Sequence, residues 1–212
     1  MKYLLILLLF GSIQSFSQTY KPDLQNINLW TLSGRTIETI NKKDTAGIKF
    51  NEDTVKGMYL LKNYFFSEGS IEFDVKGRDI LQKSFVGLAF HYQNDSTYDA
   101  VYFRPFNFQN ADTLRRLRAV QYISMPGFYW NVLRNKFPNQ YEKKVSPVPD
   151  PNSWFHVYIL IKGKNISVFV NNAKQPSLVV EKLSSTKTGQ IALWVDFGSD
   201  GSFANLKIKK RK

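Results

Sequence analysis

Between Gly69 and Gly77 the chain reads GSIEFDVKG, in which Ile71, Phe73 and Val75 alternate with Glu72, Asp74 and Lys76. Period-two alternation sends successive side chains to opposite faces of a pleated strand, so this segment buries one face and wets the other. Related runs follow in GMYLLKN, FVGLAFHY, YDAVYFR, RAVQYIS, WFHVYILIKG, ISVFVNN, GQIALWVDF and SFANLKIKK. They are rich in Val, Ile, Phe and Tyr, and Gly, Asn, Asp or Pro punctuates the gaps. Gly163-Lys164-Asn165 predicts a hairpin turn, because glycine takes a positive φ without steric cost. The stretch VSPVPDPN (145–152) predicts a loop, since its prolines cannot donate to a sheet ladder. No segment shows three turns of helical periodicity, and DTLRRLR (112–118) offers one short helical turn. Many short strands without intervening helices predict an all-β fold of two packed antiparallel sheets.

The N-terminus, MKYLLILLLFGSIQSFSQ, has a positive Lys2, an apolar run from Leu4 to Phe10 and small residues at Ser15 and Ser17. That order predicts a cleaved signal peptide over 1–17 and one domain over 18–212. The apolar run is shorter than the roughly 20 residues that cross a bilayer. No other segment predicts a membrane span. The chain has no cysteine, which excludes disulfides, thiolate metal sites, a thiol nucleophile and a lipoprotein anchor. The expected compartment is the periplasm or the extracellular space. Formal net charge is +12, and five of the positive charges lie in the final KIKKRK. This basic tail reads as a solvated terminus. Nucleic acid is not an expected partner, because basic and aromatic residues do not interleave in a reader motif.

The segments WFHVYILIKGKNISVFVNN, TGQIALWVDF and GSFANLKI together resemble the concanavalin A-like lectin/glucanase superfamily, especially its laminin-G-like and pentraxin-like members. Trp154, Gly163, Val168 to Asn171, Gly189 to Trp194 and Phe203 to Ile208 carry the resemblance, and GSIEFDVKG and FVGLAFHY look like the early strands. The resemblance implies a concanavalin A-like jelly roll, a fold that hosts lectins, glycanases and adhesion modules. Laminarinase-like members carry Glu, Asp and Glu at alternating strand positions. Here Glu72 and Asp74 are followed by Lys76, so the second glutamate is missing. Secreted bacterial members linked to 3-keto-disaccharide breakdown carry a strand of the form NSGi.fR. FVGLAFHY is similar at its glycine and phenylalanine, with His91 at the arginine end. Lectin-like members bind calcium through oxygens, for which Asn94-Asp95-Ser96, Asp196 and Asp200 are the candidates. Ala204-Asn205 stands where the family often has Asp-Asn. No metal or other cofactor is otherwise expected.

The candidate site gathers around YDAVYFRPFNF (98–108). If Val101 and Phe103 face the core, Tyr102 and Arg104 face away, and Pro105 closes the ladder before Asn107. On RAVQYIS either Gln121 or Tyr122 joins them, because a one-residue slip exchanges the faces. Trp130 adds a flat ring. Aromatic rings stack on sugar C–H faces, while amide and guanidinium groups bind hydroxyls, carboxylate or sulfate. The expected ligand-binding set is therefore Tyr102, Arg104, Asn107, Gln121, Tyr122 and Trp130, in a cleft on a concave sheet. For catalysis the candidates are His91, as a base, and Glu142. His156 reads as structural. An opposing expectation has Arg104 paired internally with Glu142 or Asp99. The reading that follows is a secreted domain that binds an oligo- or polysaccharide, with a preference for acidic glycans. The alternatives are a glycan-degrading or 3-keto-glycoside hydrolase or lyase, and a protein-adhesion module. Oligomeric state is not legible.

Overall fold

A computed structural model describes residues 18–42 and 45–211. The expected signal peptide, 1–17, lies outside the described residues. The first strands are β1 (Thr19–Tyr20), β2 (Trp30–Ser33), β3 (Ile37–Lys42), β4 (Thr45–Phe50), β5 (Gly57–Leu61), β6 (Gly69–Lys76) and β7 (Val86–Asn94). Then come β8 (Thr97–Phe103), β9 (Val120–Met125), β10 (Glu142–Lys143), β11 (Phe155–Lys162), β12 (Asn165–Val170), β13 (Leu178–Glu181), β14 (Gln190–Val195) and β15 (Gly201–Lys210). Two short helices interrupt them, α1 (Thr113–Arg116) and α2 (Trp130–Lys136).

The strands form two antiparallel sheets. One is eight-stranded, in the order β13-β12-β11-β6-β15-β4-β3 with β1 added on β15; the other is seven-stranded, β10-β9-β8-β7-β14-β5-β2. Neighbours distant in sequence, such as β6 beside β15 and β7 beside β14, are the long-range pairings of a jelly-roll sandwich. The alternation in GSIEFDVKG is realised as read. Ile71, Phe73 and Val75 are fully buried and pack with Phe155, Val157, Ile159 and Phe203 between the sheets. Hydrophobic burial of this kind supplies about 25 cal/mol per Å² of apolar surface, and it fixes the register of β6. The turn between β11 and β12 is Gly163-Lys164, with Gly163 at φ 59°.

A second apolar layer lies on the outer face of the seven-stranded sheet. Met58, Tyr98, Ala100, Tyr102, Ile123 and Trp194 are buried there beneath Leu133 of α2, with Phe128, Tyr129, Trp130 and Phe137 packed around them. The spacing of Trp130, Leu133, Arg134 and Phe137 is helical, and one face of this short helix closes over the sheet. An open concave sheet was the expectation. Instead, residues 125–141 cover much of that face and leave a groove at one side. Among the described residues no helix is long and apolar enough to cross a membrane.

One irregularity redirects a candidate residue. Between Phe90 and Asn94 the β7 ladder slips, and His91 sits in this bulge at φ 50°. Strict alternation would place His91 opposite Phe90; the bulge turns it to the same side, inside the sandwich. Gly189 permits this, since a Cβ there would stand 2.3 Å from the His91 backbone carbon.

Candidate functional site

Where β8 ends, Arg104 enters a short 3-10 turn, Pro105–Asn107, with its own N–H bonded to Ala119 O at 2.8 Å. Pro105 occupies the first helical position, where the missing N–H costs nothing. Asp112 caps α1 by accepting from Leu114 N at 2.8 Å, which fixes where the arginine-rich segment 115–118 begins its turn. Together α1, the 3-10 turn, α2 and the loop after β14 enclose a groove of about 560 Å³. That is the size of a small-ligand site. Phe85, Tyr102, Phe106, Tyr129 and Trp130 give it aromatic walls, and Arg104, Arg115, Arg118 and Arg134 give it cationic ones.

The floor is a buried polar knot. Arg104 donates through Nη2 to Tyr102 Oη at 2.6 Å and to Gln121 Oε1 at 2.8 Å, and through Nη1 to Arg118 O at 2.8 Å. Glu142, on the edge strand β10, accepts two bonds from Arg134, Nε to Oε1 at 2.9 Å and Nη2 to Oε2 at 2.7 Å. It also stands 3.6 Å from Arg104 and 3.7 Å from Arg118. Three guanidiniums thus share one carboxylate, and the surplus charge is positive. Burial pushes the Tyr102 phenol up to about 12, so it stays a neutral hydrogen-bonding group. Opposite this knot, Tyr129 donates to Asp196 Oδ2 at 2.8 Å and ties the start of α2 to the loop after β14. Burial, then the neighbouring Asp196 charge, raises the Tyr129 phenol as well.

The expected residues divide cleanly. Tyr102, Arg104, Asn107 and Trp130 line the groove. Gln121 pairs with Tyr102 across the sheet and bonds Arg104, so it supports the floor from beneath. Tyr122 is a correction: the register places it between the sheets, bonded to Asp99 Oδ1 at 2.7 Å, so Gln121 is the β9 residue at the site. His91 is likewise corrected. It is 1% exposed, its Nε2 bonds Ser67 O at 2.8 Å, and its Nδ1 lies 3.3 Å from Asp99. None of these partners lines the groove, and a base enclosed in the sandwich cannot reach a ligand there. Glu142 is 4% exposed and clasped on both oxygens, so its carboxylate is a structural anion rather than a free acid. The expected Arg104–Glu142 pairing is present; the Arg104–Asp99 one is not needed, because Asp99 faces inward.

Sequence reading missed Arg115, Arg118 and Phe197, which also line the groove, and considered Asp196 only as a calcium ligand, whereas it too lines the groove. The RRLR run after a capping Asp was the available signal for the first two. Asp196 and Phe197 follow β14 and are brought in by topology alone.

Among the described residues no group of three or more His, Asp or Glu side chains is arranged to hold a metal ion. Each calcium candidate has other work. Asn94 caps Ser96 N, Asp95 accepts from Tyr92, Asp196 accepts from Tyr129, and Asp200 pairs with Arg78 and Lys49. The Glu72/Asp74 pair lies on the outer face of the eight-stranded sheet. There Lys207 faces Glu72 at 3.6 Å, while His156 at 2.7 Å and Asn205 at 2.6 Å engage Asp74. His156 thus holds Asp74 on that outer face, away from the groove.

Comparison with known proteins gives a consistent picture. The carbohydrate-binding module CBM66 of Bacillus subtilis superposes with TM-score 0.58 at 14% identity, covering 85% of this chain and 95% of that one. The Bacillus licheniformis beta-glucanase superposes with TM-score 0.58 at 10% identity, covering 93% and 100%. Domain 4 of the arabinanase AbnA of Geobacillus stearothermophilus, solved with arabinotriose, gives 0.51 at 14% identity, covering 92% and 82%. At these identities the likeness establishes the fold, which is concanavalin A-like. No curated protein matches the sequence. The 3-keto-alpha-glucoside-1,2-lyase-like domain family matches residues 25–209, and the chain belongs to that family.

Proposed function

We propose that this protein is a secreted carbohydrate-binding domain whose groove takes a sugar bearing an acidic substituent. The observation that carries this reading is the three-to-one meeting of Arg104, Arg118 and Arg134 with Glu142 beside the Trp130 ring. Arg134 lies over that ring at 4.8 Å, which orders both the cation and the stacking surface. Arg104 has both terminal nitrogens engaged, so it holds the floor. Arg118, with a side chain 40% exposed, and Arg115 are the cations presented to a ligand. Asn107 contributes an acceptor for a sugar hydroxyl. Its Nδ2 donates to Arg118 O, while its buried Oδ1 has no hydrogen-bond partner among the described residues. Binding modules and glycanases of the same fold support the sugar class. The N-terminal signal pattern supports secretion.

A second reading, a lyase or hydrolase acting on glycosides, is favoured by the family match and by Asp196. That carboxylate lies at the groove wall, and it is the acid best placed to act as a base. A glycan array spanning neutral, uronic-acid and sulfated sugars, run with calcium and with chelator, tests the first reading. Product analysis on the hits, with Asp196→Asn alongside, tests the second. Binding without product supports a binding module, turnover lost in Asp196→Asn supports an enzyme, and no binding to any glycan overturns both.

A further inference from the structure

The groove is not uniformly polar. Leu114 projects from α1 on one wall with 62% of its surface exposed, and Phe197 projects from the loop after β14 with 60% exposed. Both line the groove. A lone exposed apolar side chain is ordinary, but two large ones at one binding groove form a surface that gains by being covered. Neither is required by the fold. Asp112 caps α1 whatever residue occupies 114, and Gly198 at φ 67° sets the turn after Phe197. The same groove holds Arg115 and Arg118, each with a side chain 40% exposed, and the buried Asn107 Oδ1, which has no hydrogen-bond partner among the described residues. Ranked by exposure, the chemistries run from a hydroxyl-binding acceptor that is buried, through half-exposed arginines, to apolar side chains that are the most exposed.

From this arrangement, which rests on the acidic-sugar reading above, we infer that the ligand is an acidic sugar carrying an aromatic group. Its carboxylate meets the arginines, and its ring covers Leu114 and Phe197 at the mouth. A sugar alone leaves these two side chains in water. An aryl group on the anomeric oxygen extends outward from the sugar and places flat apolar surface against them.

Titration calorimetry with methyl β-glucuronide, phenyl β-glucuronide and phenyl β-glucoside tests this on the intact domain. Phenyl glucuronide is expected to bind about tenfold more tightly than methyl glucuronide. Roughly 55 Å² of newly covered apolar surface gives that ratio at about 25 cal/mol/Å². The double variant Leu114→Ala/Phe197→Ala should erase the ratio, bringing the two glucuronides to equal affinity. Both residues are exposed, so its melting temperature should match the wild type. Equal affinity for the two glucuronides overturns the inference and leaves the acidic-sugar reading standing. Phenyl glucoside binding as tightly as phenyl glucuronide overturns the acidic component. Failure of both glucuronides to bind overturns the acidic-sugar reading and the inference with it.

Discussion

Arg134 grips Glu142 with two parallel hydrogen bonds, 2.9 and 2.7 Å, and so pins α2 to the edge strand β10. A side-on guanidinium–carboxylate fork is the strongest geometry available to such a pair. Arg104 and Arg118 crowd the same carboxylate. Removing its charge leaves the buried Arg104 without its counter-ion beside two partly exposed cations, and that is where the cost arises. Glu142→Gln, which keeps the volume, should destabilise the domain by about 3 kcal/mol. Differential scanning calorimetry should then show a melting temperature lower by roughly 6–12 °C for a domain of this size. An unchanged melting temperature would show that the knot contributes little.

Asp99 is one buried carboxylate whose contribution to stability is lost in acid. Burial acts to raise its pKa, but bonds from His91, Ser184, Tyr122 and Ser124 outweigh that and hold it below the ordinary 3.8. A carboxyl lowered on folding adds stability that is complete above its unfolded pKa and is lost as pH falls through the folded one. Urea midpoints for wild type and Asp99→Asn should therefore differ most at pH 6 to 7. The gap should close progressively as pH drops below about 4. A gap that stays constant from pH 7 to pH 2 would contradict the assignment.

The sandwich was legible because its core strands alternate, and alternation is a local property. In GSIEFDVKG each residue's face can be read from its neighbours. Bulges and covering segments are not local. His91 looked outward until the slip in β7 turned it inward, and no residue within FVGLAFHY signals the slip. The residue that permits it, Gly189, stands just before β14. Tyr122 and Gln121 could not be separated until β9 was paired with β8. Trp130 was expected at the site and is there, but on a helix, because its helical spacing to Leu133 and Phe137 is only three to seven residues long. The Arg104–Glu142 contact was foreseen as an alternative to a binding site. In the structure the same contact lies at the floor of the candidate groove.

Tyr129 and Asp196 join α2 to the loop after β14 by a 2.8 Å hydrogen bond. Tyr129→Phe removes the hydroxyl and should cost about 1–2 kcal/mol, since Asp196 then loses a charge-assisted partner. Local opening should increase more than global unfolding. Hydrogen–deuterium exchange over 130–136 should speed up while β6 and β11 keep their protection. Uniform change across the chain would mean the bond is not a local tie.

His91→Ala separates the buried network from the groove. It removes a ring that touches Ser67, Asp99 and Lys182 and leaves a cavity, so the melting temperature should fall by several degrees. Ligand affinity measured well below that temperature should stay within about twofold of wild type, because distant sites are independent. Loss of binding in a folded His91→Ala protein would restore His91 to the site.

The most direct test of the central claim is a calorimetric titration of the tightest-binding acidic glycan into wild type, Trp130→Ala and Arg118→Ala. Saturable binding in wild type, weakened by added salt and reduced about tenfold or more in each variant, is the predicted result. Full affinity in both folded variants would contradict the account and move the binding site off this groove.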